Sequence, residues 1–104
     1  MLICLNTIRV KGSTGEYEAV YREGSDYMAA QPGHIRHKLL RSTQDSTLYF
    51  SIAEWRDPES FEALDNDRVR AIFDRAKDFI EVESHLCVTV YQGISEGVTA
   101  DEPR

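Results

Sequence analysis

Cysteine is scarce in this 104-residue chain: Cys4 and Cys87 are the only two, and they form no CxxC pair. That excludes a disulfide framework and a dithiol redox motif, and without a secretory signal both are expected to be reduced, buried thiols of a cytoplasmic protein. No segment approaches the about 20 consecutive apolar residues of a membrane span. The opening MLICLNTIRV is apolar but short, with neither a basic flank nor a small-residue cleavage site, and is expected to be a strand. Positive charge is also in deficit, 12 Lys and Arg against 18 Asp and Glu for a net charge of −6, which argues against a nucleic-acid partner. A glycine-rich phosphate loop, a Ser-His-Asp set and a nucleophile elbow are all missing, as are internal repeats and low-complexity segments. The length suits one domain with a real core, set here at residues 1–92. The acidic stretch 93–104 has too little apolar surface to order by itself.

What is present is concentrated between Pro32 and Leu64. Pro32-Gly33 breaks the preceding element, His34 to Arg41 reads as extended, Gln44-Asp45-Ser46 turns, and Leu48 to Trp55 is a strand rich in aromatic and β-branched residues. Asp57 then offers a cap and Pro58 takes the first helical position, with Phe61 and Leu64 on one face. Upstream, Leu2 to Val10 is apolar on both alternating faces, as in a strand covered on both sides. Ser13 and Glu16 open a helix whose face carries Tyr17, Val20, Tyr21, Gly24, Tyr27 and Met28. The second helical region is expected to loosen at Asp65-Asn66-Asp67 and to continue through Val69, Ile72, Phe73, Ala76 and Phe79. The last strand is expected at Ser84 to Tyr91.

The element order β-α-β-β-α-β folds, by the right-handed crossover rule, into an α+β four-stranded antiparallel sheet with both helices on one side. The second sheet face stays apolar, and a patch of that size needs a cover. A second copy packed sheet against sheet about a twofold axis supplies it, so a homodimer is expected.

Several residues could carry chemistry. Asn6 is an amide inside an apolar strand and needs partners. Trp55 closes the third strand, where its ordinary role is to anchor the strand end to the helix start. His34 and His37, three apart on a strand, are expected on opposite faces and so unable to chelate one ion; with His85 they lack metal-site spacing, and no metal is expected. His37 is the candidate general base, because its face also carries Ile35 and Leu39, whereas His34 shares a face with Arg36 and Lys38. Tyr17, Tyr21 and Tyr27 form a stripe whose ordinary role is core and whose alternative role is a pocket wall with hydroxyl tips. Asp65-Asn66-Asp67 lacks the alternating ligands and bidentate Glu of a calcium loop.

The Pro-Gly turn, the following strand, and the strand ending in Glu54-Trp55 before a capped helix resemble the antibiotic biosynthesis monooxygenase family, over roughly residues 2 to 92. The resemblance implies a ferredoxin-like fold that dimerises into an α/β barrel. It also implies a cofactor-independent oxygenation, with molecular oxygen as co-substrate and no flavin, haem or metal, of an aromatic substrate (anthrone, hydroquinone or polyketide type) to a quinone. Family members of this type carry an Asn four residues before the Trp and a Tyr six after it; the matching residues here are Ser51 and Phe61. Haem degradation is not implied, because the stretch Val69 to Asp74 lacks the iron-ligating His and Leu64 stands where that subgroup has a second Trp. The expected catalytic residues are Asn6, Ser51, Trp55 and His37, with Tyr17, Tyr21, Phe61 and Phe73 lining the substrate site. Two other readings of the same fold stay open: a polyketide cyclase or isomerase, and a non-catalytic small-molecule-binding protein.

Overall fold

A computed structural model describes residues 1–97. The elements run β1 (Leu2–Val10), α1 (Thr14–Ala29), β2 (His34–Arg41), β3 (Leu48–Trp55), α2 (Pro58–Glu62), α3 (Asn66–Phe73), a 3-10 turn (Asp74–Ala76) and β4 (Ile80–Cys87). The strands form one antiparallel sheet in the order β2-β3-β1-β4. Each helical connection therefore passes over one strand, which is the ferredoxin-like α+β fold. No helix among the described residues is long and apolar enough to cross a membrane.

Local chemistry sets the element ends. Ser13 Oγ accepts from the Glu16 amide at 3.1 Å and starts α1. Asp57 accepts from the Ser60 amide at 2.8 Å with Pro58 in the first turn, so α2 begins where Trp55 ends β3. The expected break in the second helical region falls at Asp65, whose carboxylate accepts from the amides of Asp67 and Arg68 and thereby caps α3 as a separate helix. Gly33, at φ 89°, closes the Pro-Gly turn, with its carbonyl accepting from the Arg56 amide at 2.7 Å. A side chain there would run into Ser60 of α2.

Packing divides the core in two. Ile8, Val10, Tyr17, Val20, Tyr49, Ile72 and Ala76 form one buried cluster, beneath α1 and α3. Leu2, Cys4, Trp55 and Leu64 form the second, at the other end of the same sheet face. Gly24 lets α1 approach α3 closely enough for the Phe73 ring to fill the space where a Cβ would be. The opposite sheet face presents Ile3, Leu5, Leu48, Phe50, Ile52 and a 43% exposed Leu40.

Two expectations need correction. The last strand runs from Ile80 to Cys87, about four residues earlier than its alternation suggests, because its partner fixes it: Val10 pairs with Ile80 and Ile3 with Cys87, and β1 then runs out. Val88, Val90 and Tyr91 are consequently exposed beyond the strand. The second correction lies in β2, where a bulge between His34 and Arg36 shifts the register by one residue. Ile35 is left 45% exposed rather than sharing the face of His37. Of the expected acidic tail, residues 98–104 lie outside the described residues.

Gly24→Ala is expected to lower stability by about 1–3 kcal/mol through overpacking against Phe73. Gly15→Ala, where an added Cβ meets only the Ser13 hydroxyl at 3.8 Å, is expected to be neutral or to stabilise by up to about 0.5 kcal/mol. Urea denaturation of both variants checks the contrast.

Candidate functional site

Cross-strand register places the site. On the helix-covered face of the sheet, β1 and β3 align Leu2 with Trp55, Cys4 with Ala53, Asn6 with Ser51 and Ile8 with Tyr49. Residues directly opposite share a face, so Asn6 and Ser51 make a polar row between the two apolar clusters. Asn6 Nδ2 donates to Ser51 Oγ at 3.0 Å, which satisfies part of the amide inside an otherwise apolar strand. Among the described residues, neither Asn6 Oδ1 nor the Ser51 hydroxyl proton has a further partner. Ser51 is only 5% exposed. The row thus holds one acceptor and one donor, with Ser51 buried and Asn6 half-buried.

Trp55 lies at the end of the same face and is completely buried. Its ring meets Phe61 of α2 edge-on at 6.0 Å and His34 at 5.1 Å. Among the described residues the indole Nε1 has no hydrogen-bond partner.

The bulge in β2 overturns the expectation that His34 and His37 face opposite ways. With one residue looped out, His34 pairs with Trp55 and His37 with Ala53, which puts both imidazoles on the helix-covered face. His37 Nδ1 stands 3.3 Å from His34 Nε2. Burial and the neighbouring His37 both lower the proton affinity of His34, in that order of size. Tyr21 of α1 approaches the His37 ring edge-on at 6.3 Å. Sequence reasoning missed His34 as a member of the site, since a bulge leaves no trace in alternation beyond the flexible Gly33 just before it.

Other predicted residues separate. Tyr21 is 6.4 Å from Tyr17, and burial pushes its phenol up to about 12. Tyr17 is raised by burial first and by its tyrosine neighbours second. Both are therefore neutral donors at ordinary pH and not bases. Tyr17 also packs on Tyr49, whose hydroxyl donates to Glu18 at 2.5 Å, so it belongs mainly to the first core cluster. Phe73 packs against that cluster and fills the space beside Gly24. A surface cleft of about 420 Å³ lies beside the β3 end, lined by Gln31, Pro32, Arg56, Ser60 and Leu64 among others. Asn6 and Ser51 are not in its lining; it touches the site only through Leu64, which packs in the cluster of Trp55. Among the described residues no three His, Cys, Asp or Glu side chains converge as a metal site.

Ser51→Ala is expected to cost about 1–3 kcal/mol by stranding the Asn6 amide. The double variant Asn6→Ala/Ser51→Ala is expected to lose about 1 kcal/mol less than the sum of the two single changes. A double-mutant cycle in urea reads this coupling, and strict additivity would rule out the bond.

Comparison with known proteins places this geometry. Residues 1–75 match the model of the antibiotic biosynthesis monooxygenase family. Deoxynogalonate monooxygenase of Streptomyces nogalater is 37% identical over 57 residues, which are 55% of this chain and 48% of that protein. The chain thus spans about half the length of that curated relative. The crystal structure of SnoaB, described as a cofactor-independent oxygenase from the same organism, superposes with a TM-score of 0.80 at 28% identity, covering 91% of this chain and 97% of that one. An asparagine-to-alanine variant of SnoaB gives the same score at 26% identity over 88% and 94% of the two chains. A conserved protein from Methanosarcina mazei shares the fold alone, with a TM-score of 0.72 at 14% identity over 84% and 91% of the chains. With the ferredoxin-like sheet and the Trp at the end of β3, the chain belongs to the antibiotic biosynthesis monooxygenase family.

Proposed function

We propose that this protein is a cofactor-independent monooxygenase that oxidises a flat, electron-rich phenol, of the anthrone, hydroquinone or polyketide type, to a quinone. The observation that carries the reading is the fully buried Trp55 on the same sheet face as the Asn6–Ser51 polar row and an imidazole. Family membership and the likeness to SnoaB, described as cofactor-independent, support it. The substrate supplies the electrons. For an anthrone, His37 takes a proton, and the resulting anion gives one electron to dioxygen. Superoxide and the substrate radical then combine to a peroxide, which loses water to leave the quinone carbonyl. One oxygen atom ends in the product and one in water. Asn6, Ser51 and the Trp55 indole are the hydrogen-bonding groups for the anion and the peroxide, while Phe61 and Tyr21 supply a flat apolar wall.

A second reading, a cyclase or isomerase of the same fold, is favoured by one feature. Ser51 and Phe61 stand where oxygenases of this family carry Asn and Tyr, so an amide and a phenol are replaced by a hydroxyl and an apolar ring. Ring closure asks less of oxygen-directed donors.

Oxygen uptake by chelator-treated protein on a panel of anthrones and hydroquinones is the test. Uptake above a protein-free control, matched by quinone formation and lowered in Trp55→Phe on the order of 10-fold or more, is expected. Rearranged product without oxygen uptake would transfer the assignment to the cyclase.

Catalysis is further proposed to occur in a homodimer formed through the uncovered sheet face. Ile3, Leu5, Phe50 and Ile52 make that face too apolar to leave wet. Sedimentation is expected to give twice the chain mass, and Leu5→Glu/Ile52→Glu is expected to give single chains; a monomeric wild type would sink the idea.

A further inference from the structure

We propose that His34 and His37 act as one proton-holding unit, in which His34 is the positioning residue that fixes the tautomer of His37 and leaves His37 Nε2 as the proton port. The proposal deepens the oxygenase reading and rests on it for the role of His37. Its geometric basis is the β2 bulge. Without the shift between His34 and Arg36 the two rings would lie on opposite faces; with it, His37 Nδ1 and His34 Nε2 come within 3.3 Å, a hydrogen-bonding distance. The rings are tilted by 62° with centroids 5.1 Å apart, and the Trp55 edge holds His34 from the far side.

The direction of that bond follows from which ring takes the charge. His34 is the ring whose proton affinity burial and its neighbour depress. A neutral His34 accepts at Nε2 from His37 Nδ1–H, the arrangement that both the short contact and the disfavoured charge on His34 allow. His34 must then carry its own hydrogen on Nδ1. Release or uptake of the proton at His37 Nε2 leaves the Nδ1–H···Nε2 bond unbroken, so the base can act without either ring turning. The second proton is resisted by like charge across a short gap.

Few other groups bias this unit. Of the elements packed on it, α1 contributes the neutral Tyr21 phenol, and β3 contributes Trp55 and Ala53, without charge. Arg36 and Lys38 pair with Glu54 and Ile52 on the opposite face of the sheet. Among the described residues neither ring is hydrogen-bonded or ion-paired to a carboxylate. The partner that sets the His37 tautomer is thus an imidazole, in the position where a carboxylate more often serves.

The unit is read by nitrogen-15 NMR of the imidazoles in the full-length wild type, His34→Ala and His34→Gln, with thermal melts to verify folding. At pH 8 the wild type is expected to show His37 protonated at Nδ1 and His34 protonated at Nδ1. From pH 8 to 5, His34 is expected to stay neutral while the pair takes up its first proton. His34→Ala should return His37 to the Nε2–H tautomer usual in solution, while His34→Gln, whose amide oxygen can accept from Nδ1, should retain Nδ1–H. In turnover His34→Ala is expected to lower kcat on the order of 10-fold with KM little changed, and His34→Gln to recover most of it. A wild-type His37 protonated at Nε2, or His34 charging first, overturns the proposal. The tautomer readout needs no substrate, so its failure is distinguishable from failure of the oxygenase reading, which shows as absent oxygen uptake with the expected tautomers intact.

Discussion

The polar row and the buried tryptophan of the candidate site depend on the antiparallel register of β1 against β3, and β2 places its histidines against the same strand. The pairing of Leu2 with Trp55 and of Ile8 with Tyr49 holds large side chains at the two ends of the shared face, and the alternation between them brings Asn6 opposite Ser51. Because side chains alternate along a strand, a slip of β3 by one residue would send Ser51, Tyr49 and Trp55 to the open face and bring Phe50 and Ile52 beneath the helices. Burial of Trp55 and Tyr49, each about 1% exposed or less, opposes such a slip, at a few kcal/mol for each misplaced ring. The register is thus maintained by the core, and the site inherits its geometry from it.

The same constraint explains why a polar row is tolerated inside the molecule. One cluster fills the space under α1 and α3, the other is closed by α2 and Leu64, and the row with Asn6 and Ser51 falls between them. A bond between its two members removes part of the desolvation cost, while one amide oxygen and one hydroxyl proton stay uncommitted. The indole N–H of Trp55 is likewise buried, without a protein partner among the described residues.

Legibility in the sequence followed the strength of local signals. The bounds of β1 and β3 and the cap at Asp57-Pro58 were readable because alternation, β-branched content and a proline at the first helical position agree with one another. Asn6, Ser51 and Trp55 were grouped by the family resemblance; that Asn6 lies opposite Ser51 required the register of β1 against β3. The start of β4 was not readable: residues 80–91 alternate throughout, and only the length of β1 decides that pairing ends at Cys87. His34 was misplaced because a bulge changes the face of a side chain without changing composition. The contact of Phe73 with Gly24 was not readable either, because it depends on how closely two helices approach.

The departures at Ser51 and Phe61 acquire a meaning once the histidines are placed. With an amide and a phenol replaced by a hydroxyl and an apolar ring, the hydrogen-bonding capacity on β3 and α2 is reduced, and the remaining polar groups concentrate on β1 and β2. Asn6 and the two imidazoles flank β3 from either side. In the proposed reaction, charge developing on a substrate lying along β3 would be met by Ser51 and Trp55 of β3 and by Asn6 and the imidazoles of the two neighbouring strands. Imidazoles suit that task in a face without carboxylates, because they exchange a proton near neutral pH and present no permanent negative charge to a phenolate or peroxide. The bulge that gathers them costs one unpaired residue, Ile35, at the sheet edge, where pairing is already incomplete and the loss is small.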